Sequence, residues 1–218
     1  MVLILCIGDL HIPHRTPDLP QQFKELLKPG KIHSILCVGN LCSKSVLDYL
    51  RSIASDVTLV QGDFDEFTSP EYTVVTRGDF RIGLIHGHQV VPAGERASLS
   101  LLHRQLGVDI LVTGHTHEHK VLKCEDGLQV MVGSATGAHS LLRPSEPTDK
   151  VNGAGGGTAP PPAQQQQQQQ QQQPVPSFVL LDVDGPKATV YMYQLQAGKV
   201  KVDRIDYVKP PSPAARAS

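Results

Sequence analysis

"LCIGDLH" (residues 5–11) and "VTGHTHEH" (residues 112–119) decide how this chain is read. Each opens with apolar residues suited to a buried strand and passes through a glycine. Each then delivers metal-ligating side chains at alternate positions, Asp9 and His11 in the first, His115 and His117 in the second. In extended chain, residues i and i+2 point to the same side, so each pair is expected to aim at one point.

The pattern recurs. "SILCV" (34–38) is followed by Gly39-Asn40, "VTLV" (57–60) by Gly62-Asp63, and a strand at 81–85 runs into His86-Gly87-His88. In open α/β folds, ligands gather just beyond the carboxyl ends of the strands. Asp9, His11, Asn40, Asp63, His86, His115 and His117 are therefore expected to converge. Carboxylate, carboxamide and imidazole together suit a borderline divalent ion such as Zn²⁺ or Mn²⁺. Seven donors exceed what one tetrahedral ion needs and fit up to two ions, about 3.5–4 Å apart, as in two-metal phosphatases and nucleases. A single histidine after a strand is ordinarily a packed or surface residue. His14, His33, His103, His119 and His139 are read that way, and His88 as an outer partner of the site or a packed residue.

The surrounding pattern gives the fold. VLILCI (2–7), SILCV, VTLV and DILV (109–112) read as buried strands. Between them, Leu19, Phe23, Leu26 and Leu27 have helical spacing, ended by Pro29-Gly30. Val46, Leu47, Leu50 and Ile53 form a second helical set, with Ser43 as N-cap. Leu99, Leu102 and Leu106 form a third, stopped by Gly107. This alternation predicts βαβ units with parallel strands. EYTVVTR, FRIGLIHG, LQVMVG, SFVLLDV, ATVYMYQL and VKVDRIDYV then follow as strands separated by turns, which predicts antiparallel pairing. The fold class is α/β: two mixed β-sheets packed as a sandwich with flanking helices, a four-layer α/β/β/α arrangement.

The 218 residues fit one domain, read as 1–210. A Gly/Pro/Gln-rich insert at 144–176, including the Gln164–Gln173 tract, lacks the apolar content to offset chain entropy and is expected to be disordered. The tail, 211–218, is read the same way. A net charge of −1, with scattered Lys and Arg, gives no pull toward nucleic acid. No run is long enough to insert in a membrane. The four cysteines form no CxxC pair, and Cys6 and Cys37 read as buried free thiols of a reducing compartment, the cytoplasm.

In order, Asp9-x-His11, Gly39-Asn40, Gly62-Asp63-Phe64-Asp65, His86-Gly87-His88 and Gly114-His115-Thr116-His117 resemble the motifs of the calcineurin-like metallophosphoesterases. The wording between motifs, as in "GDLHIPHR", "GNLCSK", "QGDFDE" and "PSFVLLDV", is similar to one branch of that family, which serves as a subunit of the endosomal retromer complex. The resemblance covers nearly all of 1–140 and 175–210, but not the glutamine-rich insert. It implies the sandwich fold and the seven-ligand metal site.

It also implies lost catalysis. Active members carry Asp where this chain has Asn40 and Asn-His where it has Asp63-Phe64. A carboxamide offers one neutral oxygen in place of a bridging carboxylate, which weakens binding of the ions. Phenylalanine has no proton for a leaving oxygen, and a positioned acid typically contributes about 10²–10⁴-fold to rate. The branch implies a scaffold in protein transport, peripheral on the cytoplasmic side of the endosome membrane. Its metal face would dock the C-terminal part of retromer's large helical-repeat subunit, with Leu26, Val90 and Val91 as candidate contacts. A second patch, Val2, Leu180, Tyr191, Tyr193 and Val202, would recruit a GTPase-activating regulator of Rab-type GTPases. The alternative is a weak metal-dependent phosphoesterase using Asp9, His11, Asp63, His86, His115 and His117.

Overall fold

A computed structural model describes residues 1–140, Leu142 and residues 174–210. Of the insert read at 144–176, only Pro174, Val175 and Pro176 fall among these, and the tail read at 211–218 lies outside them.

The six-stranded sheet is built from β1 (Val2–Ile7), β2 (Ser34–Cys37), β3 (Asp56–Leu59), β9 (Ser177–Asp184), β10 (Lys187–Gln196) and β11 (Lys199–Val208). The five-stranded sheet contains β4 (Tyr72–Arg77), β5 (Phe80–Ile85), β6 (Ile110–Thr113), β7 (His119–Cys124) and β8 (Gly127–Val132). The strand orders are β11-β10-β9-β1-β2-β3 and β4-β5-β6-β8-β7. Both sheets are mixed. β1–β2–β3 and β5–β6–β8 are parallel, while β9, β10, β11, β4 and β7 join antiparallel.

Strand alternation sorts the side chains into layers. Ile4, Cys6, Leu36 and Val38 face Phe80, Ile82, Ile110, Val112 and Val130 in the core between the sheets. Leu5, Ile7, Ile35 and Cys37 point the other way, under α1 (Gln21–Leu26) and α2 (Lys44–Ile53). α3 (Arg96–Leu106) covers the second sheet through Leu99, which packs with Ile85, Val108 and Leu111. Four layers result, as the sequence predicts. Cys6 and Cys37 are buried free thiols.

Some local expectations change. The helix predicted across Leu19 to Leu27 forms only over Gln21–Leu26, because Asp18 Oδ1 accepts from Leu19 N–H in a turn that precedes Pro20. Phe23 and Leu27 fill the core, whereas Leu26 is 44% exposed. Ser43 does cap α2 by position, but its hydroxyl pairs with Ser45 Oγ and not with the helix backbone. Glu95 caps α3 in fact, its carboxylate accepting from Ser98 N–H. β7 was not legible in the sequence. It is an edge strand whose Val121 packs on the central core. Among the described residues, no helix is long and apolar enough to cross a membrane.

Candidate metal centre

β1, β2, β3, β5 and β6 end side by side, and the seven predicted ligands lie on the loops that leave them. Two triplets form. Ligand atoms of Asp9, His11 and His117 lie within 4.8 Å of one another, as do those of Asp63, His86 and His115. His11 Nε2 is 3.2 Å from His117 Nε2, and His117 Nε2 is 3.5 Å from Asp9 Oδ1. His86 Nε2 is 3.1 Å from Asp63 Oδ1 and 3.9 Å from Asp9 Oδ1, so the triplets adjoin. Asn40 sits where they meet, its Nδ2 3.1 Å from Asp9 Oδ1 and 2.9 Å from Asp63 Oδ1.

The reason the paired ligands converge differs from the extended-chain argument. Asp9, His11, Asn40, His115 and His117 all have positive φ, between 50° and 67°. That left-handed conformation is uncommon outside glycine and clusters at functional sites. Backbone bonds between the loops after β1 and β2 hold it at the first two of these residues: Asp9 N–H to Gly39 O at 3.0 Å and His11 N–H to Asn40 O at 2.9 Å. The glycines allow the close approach. A Cβ on Gly62 would lie 2.3 Å from Asn40 N, and one on Gly39 2.6 Å from Gly62 N.

The donor set suits divalent ions. His86 Nδ1 and His117 Nδ1 each lie 2.6 Å from a backbone carbonyl, of Val38 and Ala138, which fixes the Nδ1–H tautomer. The Nε2 lone pairs are then turned into the cluster, the orientation metal ligands adopt. Cys42 Sγ takes the same place behind His11, 3.8 Å from Nδ1.

The electrostatics agree. Burial pushes the Asp9 carboxyl up, but His86, His117 and His11 outweigh it and hold the pKa at about 2. Asp63, also opposed by burial, is pulled well below the carboxylate range by His86 and Asn40. Burial depresses His11 to about 4 and lowers His115 too. His86 is raised, because Asp9 and Asp63 overcome its burial. Ionised carboxylates and neutral imidazoles are the forms that bind a cation, so His11 and His115 are ready for one, while His86, held by the two carboxylates, must give up its proton to serve as a ligand.

Asp65 is the functional residue that sequence reasoning missed. Its Oδ2 accepts from Asn40 N–H and Gly62 N–H, and its Oδ1 from Cys42 N–H, all at 2.9 Å. Three donors on two separate loops are thereby tied to one carboxylate. The signal was its place in "GDFDE", two residues past Asp63. His88 stands outside both triplets, its ring centroid 5.4 Å from that of His86, with Nδ1 unpartnered.

Phe64 forms one wall of the site's mouth with Arg15, His115, Ser140 and Leu142. Its ring is 42% exposed and meets His11 edge-on, with centroids 5.5 Å apart. The Arg15 guanidinium lies 4.6 Å from the ring centroid, anchored by Nη1 donating to His139 O at 2.7 Å.

The apolar contact candidates divide. Val91 is 82% exposed in the loop after β5. Val90, its neighbour, must be corrected: it is 9% exposed and packs into the core beneath α3. Leu26 is exposed on α1, which covers the outer face of the six-stranded sheet, while Val91 leaves the five-stranded sheet after β5.

Leu180, Tyr191, Tyr193 and Val202 share the outer face of β9, β10 and β11. Tyr191 pairs with Leu180 and Tyr193 with Val202. Val2 is a second correction. It pairs with Val183 and packs against the central core, so alternation points it to the opposite face. Leu3, one residue on and half-buried, has the outward parity that Val2 lacks.

Comparison with known proteins agrees with this geometry. The model for the calcineurin-like phosphoesterase superfamily domain matches residues 2–148. The chain is 39% identical over 210 residues to the vacuolar protein sorting-associated protein 29 of Schizosaccharomyces pombe, covering 96% of this chain and 100% of the relative. The crystal structure of Chaetomium thermophilum Vps29 is 39% identical with a TM-score of 0.79, over 96% of this chain and 100% of that one. Wild-type Vps29 from Entamoeba histolytica, crystallised in complex with Zn²⁺, is 41% identical with a TM-score of 0.77, over 94% and 99% of the two chains. This chain is thus a member of the calcineurin-like phosphoesterase superfamily and, within it, of the Vps29 family.

Proposed function

We propose that this chain is a non-catalytic scaffold subunit of the retromer complex in endosomal protein transport. The observation that carries the reading is Phe64, an exposed ring at the mouth of an otherwise well-formed ligand cluster. A ring there cannot protonate a leaving oxygen, yet it presents exposed apolar surface for a partner. The large helical-repeat subunit docks through the exposed Leu26 and Val91, with Phe64 offering further apolar surface. The outer face with Leu180, Tyr191, Tyr193 and Val202 receives a Rab GTPase-activating regulator, with Leu3 in place of Val2. The protein acts in the cytoplasm, peripherally at the endosome membrane. Asp9, His11, Asn40, Asp63, His86, His115 and His117 hold up to two divalent ions, Zn²⁺ or Mn²⁺, weakly.

A weak phosphoesterase is the second reading, favoured by the intact Asp9, His11, Asp63, His86, His115 and His117. Ions held there would supply an activated water. The purified protein is assayed on a generic phosphate ester with Mn²⁺ or Zn²⁺, beside a Phe64→His, Asn40→Asp double variant. Background turnover by the wild type and a gain in the double variant are expected. Wild-type turnover well above background, abolished by His86→Ala, overturns the scaffold reading. In a pull-down, Val91→Asp is expected to lose the helical-repeat subunit, and unchanged capture removes Val91 from the interface.

A further inference from the structure

The Asn40 carboxamide serves two neighbours at once. Its Oδ1 accepts from Phe64 N–H at 2.9 Å. Its Nδ2 faces Asp9 Oδ1, Asp63 Oδ1 and His86 Nε2 at 3.1, 2.9 and 3.0 Å. A backbone N–H only donates and an ionised carboxylate only accepts, so the contacts to Phe64, Asp9 and Asp63 match in this orientation and clash in the reverse. The consequence is unusual for a ligand. The amide turns its donor end to the junction of the two triplets, and an amide nitrogen offers no usable lone pair to a cation.

We propose that Asn40 is a switch: its carboxamide must turn over, releasing Phe64 N–H, before a divalent ion can be held between Asp9 and Asp63. With the amide nitrogen inward, its two donors partly compensate the facing carboxylates and the cluster is stable without an ion. With the oxygen inward, Asn40 is a ligand and Phe64 N–H has lost its acceptor. The residue that shapes the mouth is then untethered at its backbone. Ion loading is thereby coupled to the placement of Phe64, whose ring contacts His11 and Arg15. The link to partner docking rests on the scaffold reading above, but the turnover itself does not.

Aspartate at this position would behave differently. One oxygen can keep the Phe64 N–H while the other meets the ion, so no choice is forced.

The test uses the full chain labelled with ¹⁵N and titrated with Zn²⁺. Backbone amide exchange of Phe64 and the Asn40 side-chain NH₂ resonance are followed together, beside calorimetric titration of the wild type and Asn40→Asp. Releasing one hydrogen bond corresponds to about a tenfold effect. Phe64 exchange in the wild type is expected to quicken about tenfold on saturation, in step with the Asn40 signal. Asn40→Asp is expected to bind Zn²⁺ about tenfold more tightly with Phe64 protection unchanged. A wild type that takes up no Zn²⁺ while Asn40→Asp does also supports the switch. Zn²⁺ saturation with Phe64 exchange unaltered overturns it, as does Asn40→Asp binding no tighter than wild type. Loss or retention of the helical-repeat subunit by Val91→Asp bears on the scaffold reading alone, so the two can fail separately.

Discussion

Cys42 Sγ lies 3.8 Å from His11 Nδ1, on the side of the imidazole turned away from the cluster. His86 and His117 use backbone carbonyls for the same purpose. A thiol is a weaker acceptor, and burial pushes its own pKa up to about 11, so it stays neutral. Cys42→Ala removes the only side-chain partner shown for that nitrogen among the described residues. Loss of an outer partner typically costs about 10–100-fold in metal affinity. Zn²⁺ affinity by calorimetry is expected to fall about tenfold, with the circular dichroism spectrum unchanged.

Asp65 joins the loops after β2 and β3 through three backbone bonds. A hydrogen bond to a charged group contributes about 1.5–3 kcal/mol, and these share one acceptor. Asp65→Ala is expected to cost about 3 kcal/mol in urea denaturation and to abolish Zn²⁺ binding. Asp65→Asn keeps one acceptor oxygen and should lose less of both.

His103 on α3 is buried, and neither ring nitrogen has a hydrogen-bond partner. Burial holds its pKa below the ordinary 6.5, with the Val108 backbone, Asp126 and Asp109 opposing. As pH falls past 6.5 the unfolded chain takes up a proton that the folded chain still refuses. Stability is therefore present above that pH and is lost as pH falls toward the folded value. In EDTA, the thermal midpoint of the wild type should drop from about pH 7.5 to about 5.5, and His103→Leu should drop less.

The aromatic run Phe23–Phe178–Tyr193 ties α1 to β9 and β10. Phe23 meets Phe178 edge-on and Phe178 stacks on Tyr193, both at centroid distances of 4.7 Å. Phe23→Ala is expected to cost about 3–5 kcal/mol, read as a lowered urea midpoint. Val202→Asp, 44% exposed on the same face of the sheet, should stay within about 0.5 kcal/mol of wild type while removing any regulator bound there.

Much of this was legible in the sequence, for identifiable reasons. Buried parallel strands are continuous apolar runs, so β1, β2 and β6 announced themselves and located the glycine-ligand junctions after them. β7 did not, because an edge strand needs only Val121 to face inward. Val90 and Val91 read identically as letters, and only the turn they occupy decides which is buried. Val2 and Leu3 differ by one step of strand parity, which the sequence leaves free until the register with Val183 and Asp182 is set. The ligands were found by type and spacing. Their left-handed backbone and the carboxylate of Asp65 depend on loops meeting in space, which no local pattern records.

Gly137 lies in the connection between β8 and β9, against the segment that leads into β9. A side chain there would lie 2.8 Å from Pro174 O and from Pro176 Cγ. Residue 137 and residues 174–176 thus lie side by side, and Ser177 N–H donating to Ser134 O at 2.8 Å pins them further. Loop-closure entropy grows only slowly with length. The two ends of the connection are held by described residues, so added length between them, the ten consecutive glutamines included, raises the cost of closing it only slightly.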